Sequence, residues 1–165
     1  MTENIANLIN ALREELAQYG TMLALLDGQQ KQIGARHADG VYQSIGPIKQ
    51  QGLAIQKARA HREECRAQLA QSLQQGREFS FAKLIPLLPE EGRPVLGALV
   101  KENNDLLARV RVRARQNHLQ LSRSIELIQS LIYSIFPARE PRVYNDRGSM
   151  KARRPVQRLI YEAIG

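Results

Sequence analysis

His61 and Cys65 stand four residues apart, a spacing that puts two side chains on one face of a helix and could offer a metal two ligands. Two ligands do not close a zinc site, which usually takes four, so the pair reads as a half-buried thiol beside a surface histidine. The acidic pairs Glu14-Glu15, Glu63-Glu64 and Glu90-Glu91 are adjacent in sequence. Adjacent residues point apart on a helix, so these pairs form no acid–base dyad and read as solvated charges. No phosphate-cradling G-x-x-x-x-G-K-S/T, no G-x-G-x-x-G and no H-E-x-x-H occurs. The sequence therefore predicts no enzyme, no cofactor, no metal and no small-molecule substrate.

The strongest chemical bias is positive charge, a net +8 with a pI of about 10.1. The run Arg109-Val110-Arg111-Val112-Arg113-Ala114-Arg115 and the arginines after Phe136 could grip phosphates. Both lack aromatic stacking platforms, and no helix-turn-helix pairing is visible, so nucleic-acid recognition is poorly supported. Solvated arginines, or arginines facing acidic groups of a partner, fit better. A basic helical-bundle adaptor for nucleic acid or an anionic surface stands as the alternative reading. The single cysteine excludes an internal disulfide and fits a reducing compartment. MTENIANLINALREEL has neither a basic n-region nor an apolar h-region, and no apolar run reaches membrane-spanning length, so a cytoplasmic protein is expected.

Apolar or small residues recur at Leu96, Leu99, Leu106, Val110, Ala114, Leu121, Ile125, Ile128, Ile132 and Ile135, with only Asn103 and Asn117 interrupting steps of three and four. That spacing predicts one helix from Val95 to Phe136, with the Arg-Val alternation absorbed into it and Pro94 in its first turn. A stripe so long needs long partners. Residues 4 to 35 supply one, with Ile5, Ile9, Leu12, Leu16, Tyr19, Leu23, Leu26 and Ile33 in a near-heptad repeat and Gln30 in the remaining slot. Gly20 and Gly28 weaken it, and a turn is expected at His37 to Gly40. Val41 to Gln75 supply the second, with a weaker stripe (Val41, Ile45, Ile48, Ile55, Ala58, Cys65, Leu69, Leu73), a kink or restart at Gly46-Pro47 and a stop at Gly76. Phe79 to Pro89 predict a short turn of helix, capped by Ser80, limited by Pro86 and greasy enough to plug the end of a bundle.

The expected fold is all-α: three long antiparallel helices in a coiled-coil-like bundle over residues 1–136, a short helix between the second and third, and a C-terminal tail. The tail, residues 137–165, carries seven basic against three acidic residues. Within it RPVQRLIYEAIG is amphipathic, with Val156, Leu159, Ile160 and Ile164 on one side, so it could dock on its own bundle. From Leu119 to Phe136 the long helix is hydrophobic over more than one face, since Leu127, Leu131 and Tyr133 lie off the main stripe. Either the 79–89 segment or the tail covers that second face, or it is a groove for a partner's amphipathic helix, and a second copy of the chain could also use it.

The order and spacing of several pieces resemble the FlgN-type flagellar export chaperones over residues 5 to 148. They are LREELAQYGTMLALL (Leu12 to Leu26), a late arginine in the second helix (Arg62), FSFAKLIPLLP, an N-x-L core in the third helix (Asn117, Leu119, Ser124-Ile125), and Tyr144 to Gly148 in YNDRG. The resemblance implies a cytosolic chaperone without catalysis. It implies binding of the C-terminal helices of the hook–filament junction (hook-associated) proteins and delivery to the flagellar export gate. On that reading Leu121, Ile125, Ile128, Leu131, Ile132 and Ile135 supply the cargo face. Asn117 fixes its register, and Tyr144 with Gly148 makes a tail contact for cargo or the gate.

Overall fold

A computed structural model of the chain describes residues 2–135. They form α1 (Thr2–Gly34), α2 (Ala38–Ser72), the short α3 (Phe81–Leu84) continued by a 3-10 turn (Ile85–Leu87), and α4 (Arg93–Ile135). Among the described residues there is no strand, and no helix is long and apolar enough to cross a membrane. The chain divides into two units, residues 1–120 and 121–165, and α4 passes from the first into the second. Residues 136–165, with the expected tail and its Tyr144, Gly148 and amphipathic segment, lie outside the described residues.

Side-chain bonds give the helix directions. Gln29 of α1 meets Ser44 of α2, Gln18 meets Gln51, and Glu15 meets Arg62, so α1 and α2 are antiparallel. Asn103 of α4 donates to the Leu12 carbonyl at 3.0 Å and Asn117 to the Leu26 carbonyl at 2.8 Å, so α4 runs in the direction of α1. The apolar contacts fall into two groups. Leu8, Ala11, Leu12, Cys65, Leu69, Ala70, Leu84, Leu88 and Leu96 close one, drawing on α1, α2, the short segment and α4. Tyr19, Met22, Leu26 and Val110 form the other, with Ile48, Ile55 and Leu106 packed against it. Leu84 and Leu88 do plug the first core, as expected of the segment they belong to. Ser80 stands at the N-cap position of α3 with extended backbone, but its side chain makes no capping bond.

Four expectations are corrected. The buried positions of α1 are Leu8, Ala11, Leu12, Glu15, Tyr19, Met22, Leu26 and Gln29. This stripe shares Leu12, Tyr19 and Leu26 with the expected one but turns toward Glu15 and Gln29, because both polar side chains find partners on other helices. Ile45 of α2 is half exposed, on the outer side of its helix. Of the kink or restart expected at Gly46-Pro47, the restart is excluded, since α2 runs through both residues although proline deprives the Gln43 carbonyl of its helical donor. Finally, the turns are not where glycine marks them. Gly40 lies inside α2, and a Cβ there would meet the ends of the Gln32 and His37 side chains.

Arg36 and Gln74 carry the left-handed backbone at the two helix ends, with φ 55° and 58°. His37 N–H bonds back to the Gln32 carbonyl, and Gln75 N–H to the Ala70 carbonyl, the reach-back that satisfies terminal carbonyls of a helix. A side chain in this conformation costs roughly 1 kcal/mol, and both residues are exposed. Arg36→Gly and Gln74→Gly are therefore each expected to stabilise by about 1 kcal/mol in urea melts. Destabilisation by either would show that the side chain contributes a contact worth more than the relieved backbone.

Candidate helix-docking face

The fully buried positions of α4 are Leu96, Asn103, Val110 and Asn117, each seven residues after the last. A buried amide in an apolar seam is tolerated when it finds acceptors, and both do. Asn103 Nδ2 bonds Leu12 O and Leu99 O, and Asn117 Nδ2 bonds Leu26 O and Gln29 Oε1 at 3.1 Å. Gln29 Nε2 in turn donates to Ser44 Oγ at 2.9 Å, and the Ser44 hydroxyl donates to the Val41 carbonyl. One chain of hydrogen bonds therefore runs from α4 through α1 to α2. Asn117 is 1 % exposed, so its side chain is committed to α1 and is not presented to a ligand. Its two bonds join α4 to α1 at the level of Leu26 and Gln29.

Both asparagines pair an α4 residue with the α1 residue 91 earlier. α1 ends at Gly34, and the two asparagines set its register against α4 as far as Asn117. The α4 sequence keeps its apolar stripe. Leu121 is half-buried, whereas Ile125, Ile128, Leu131, Ile132 and Ile135 are 54, 56, 60, 52 and 66 % exposed. Leu119, Leu127 and Tyr133 are exposed as well, so the residues off the main stripe are not covered by the 79–89 segment, which packs on the first core instead. Isolated apolar side chains on a surface are ordinary, but a continuous run of this length is the mark of a surface that takes a partner. Its chemistry is that of a helical groove: branched aliphatic side chains three and four apart, suited to the apolar face of another helix.

The remaining motif residues meet elsewhere. Glu15, from LREEL, is fully buried rather than solvated. Arg62 Nη1 reaches its two oxygens at 3.1 and 3.0 Å, and the Tyr19 hydroxyl donates to Oε1 at 2.7 Å. Arg62 also lies 5.8 Å over the Phe81 ring and bonds Glu63, which takes Arg66 Nε at 2.7 Å; Arg66 reaches the Phe79 carbonyl. Burial works against the Glu63 charge, but the Arg66 hydrogen bond and the charges of Arg62 and Arg66 outweigh it and hold the carboxyl below its usual range. This network pins the plugging segment to α1 and α2. Sequence reasoning gave Glu15 no such role; the signal was the recurrence of Glu15, Tyr19 and Arg62 among the motif pieces.

Burial, then the bond to Glu15 and its charge, push the Tyr19 hydroxyl from 10.0 up to about 12. The proton is held more tightly in the folded chain. Below pH 10 the contribution is complete, and it is lost as pH rises toward 12, where only the unfolded chain has already ionised. Urea melts across that window should show a fall of roughly 2–3 kcal/mol that Tyr19→Phe lacks. Equal slopes for the two proteins would show Tyr19 to be solvated.

His61 and Cys65 are not brought together as ligands. His61 is exposed beside Glu14 at 3.3 Å, while Cys65 is buried in the first core, where burial and the neighbouring Glu64 push the thiol up. Among the described residues no group of three His, Cys, Asp or Glu side chains could hold a metal ion.

A search of curated proteins and of solved structures finds no match to the chain. A family model, described as FlgN protein, matches residues 1–152. That span takes in all four helices, the LREELAQY and Arg62 pieces of the buried network, the exposed end of α4 and the YNDRG stretch, so the chain belongs to the FlgN family of flagellar chaperones.

Proposed function

We propose that this chain is a type III flagellar export chaperone whose α4 end binds the C-terminal helices of hook-associated proteins and prevents their premature assembly. The observation that supports this most is the apolar stripe of α4 continuing, exposed, from Ile125 to Ile135. Such cargo termini are amphipathic helices that would otherwise self-associate, and Leu121, Ile125, Ile128, Leu131, Ile132 and Ile135 offer a substitute partner. Asn117 acts from inside, holding α4 against α1 so that the stripe leaves the core at a fixed point. Tyr144 and Gly148 are the proposed tail contact for cargo or for the export gate, and no step requires catalysis.

A second reading follows from the charge of α4. Arg109, Arg111, Arg115 and Arg123 are exposed and none makes an ion pair with an acid among the described residues. Those side chains would suit an anionic surface or nucleic acid. Salt separates the readings. Capture of hook-associated protein fragments by the immobilised chain is expected to change less than about threefold between 50 and 300 mM salt, because apolar burial is little screened. Binding through four phosphate contacts would weaken by roughly two orders of magnitude or more over that range. Capture of nucleic acid, with that steep slope and no retention of cargo, would overturn the chaperone reading.

A further inference from the structure

The family match ends at residue 152, and the amphipathic stretch Val156 to Ile164 lies wholly beyond it. What the family shares therefore accounts for the exposed end of α4 but not for a second apolar stripe in the same chain. Val156, Leu159, Ile160 and Ile164 recur in steps of three and four, the spacing carried by Ile125, Ile128, Leu131, Ile132 and Ile135. We propose that residues 156–164 are the resident occupant of the exposed α4 face, folding back on 125–135 when no cargo is bound. The proposal rests on the reading that this face accepts an amphipathic helix.

Length permits it. Between Ile135 and Val156 lie 20 residues, which when extended span at most about 70 Å. The α4 stripe from Leu121 to Ile135 is only about 21 Å long, so any part of it is within reach. Pro137 and Pro141 follow α4 directly in the sequence, and a proline lacks the N–H that would carry a helix onward. The fit is also incomplete. As a helix, Val156 to Ile164 would cover about 12 Å, little more than half of the stripe. A longer cargo helix making the full contact would displace it. Tethering makes this weak contact competitive, since a linked segment stands at an effective concentration in the millimolar range. The segment then keeps aliphatic surface from water and from other copies of the chain, and lowers apparent cargo affinity by the fraction of molecules it occupies.

Amide hydrogen exchange on the full chain, on a chain ending at residue 152 and on Leu159→Asp/Ile160→Asp tests this without any cargo. All changes lie outside the described helices, so α1, α2 and the first 28 residues of α4 serve as internal controls. The expected result is that both variants exchange faster, by roughly tenfold, across 121–135 and nowhere else. Apparent affinity for a hook-associated protein fragment should rise by a similar factor. Unchanged exchange across 121–135 overturns the proposal. So does protection that grows with protein concentration alongside a dimer mass in light scattering, because it assigns the face to a second copy. Tail-dependent protection in a chain that captures no cargo would leave this inference standing and remove the chaperone reading, whereas cargo capture with tail-independent exchange would do the reverse.

Discussion

Replacing Ile128 and Ile132 together by Asp is expected to abolish capture of hook-associated protein fragments, by about a hundredfold or more, while leaving the helical circular dichroism unchanged. Both side chains are more than half exposed, and neither belongs to the two packed cores, so the folded chain loses little when they become charged. In a complex the same positions would sit on the central line of the contact, where a truncated anchor alone typically costs about 2 kcal/mol or more. A buried, unpaired carboxylate adds a desolvation penalty at each site. Wild-type capture by this variant would exclude the α4 face from cargo binding. Loss of helicity would instead mark the two isoleucines as structural, contrary to their exposure.

Arg62→Ala is expected to give the largest loss of stability, about 3–5 kcal/mol, because it leaves the fully buried Glu15 carboxylate with the Tyr19 hydroxyl as its remaining partner. It also removes the guanidinium from over the Phe81 ring, one of the ties between α2 and the Phe79 to Leu88 segment. The triple change Glu15→Leu, Tyr19→Phe, Arg62→Leu removes the charges and the hydroxyl together. It should cost far less than the single one, as hydrophobic replacement of a buried ion pair often does. Urea denaturation monitored at the helix signal distinguishes these cases. A loss below about 1 kcal/mol for Arg62→Ala, the range of exposed pairs, would falsify the burial of this network.

Several features were legible without coordinates, and particular residues show why. The α4 stripe is carried by aliphatic side chains at helical steps from Leu96 to Ile135, long enough to override the short Arg-Val alternation within it. The short plugging segment was legible because Phe79, Phe81, Leu84 and Leu88 cluster around a proline that forbids a longer helix. The family pieces, read by order and spacing, led to the FlgN assignment. The turns were misplaced because glycine was taken as their marker, whereas Arg36 and Gln74 adopt the left-handed backbone and the neighbouring glycines do not. A reach-back hydrogen bond to a terminal carbonyl leaves no trace in composition.

What the sequence determined by itself is the helical class, the number of long helices and the excess of aliphatic surface near the end of α4, since each follows from local spacing and from the absence of anything else to build with. What only the tertiary structure decided is which polar residues are inside. Glu15, Gln29, Asn103 and Asn117 look like surface residues one at a time, and each is buried because a different helix supplies its partner. Burying a polar group costs less when its hydrogen bonds are replaced, and the replacements found here lie 15 to 91 residues away in the chain, the Oδ1 atoms of Asn103 and Asn117 being left without one. The same kind of long-range bond, two asparagines each holding the α1 residue 91 earlier, sets the register of α4 against α1.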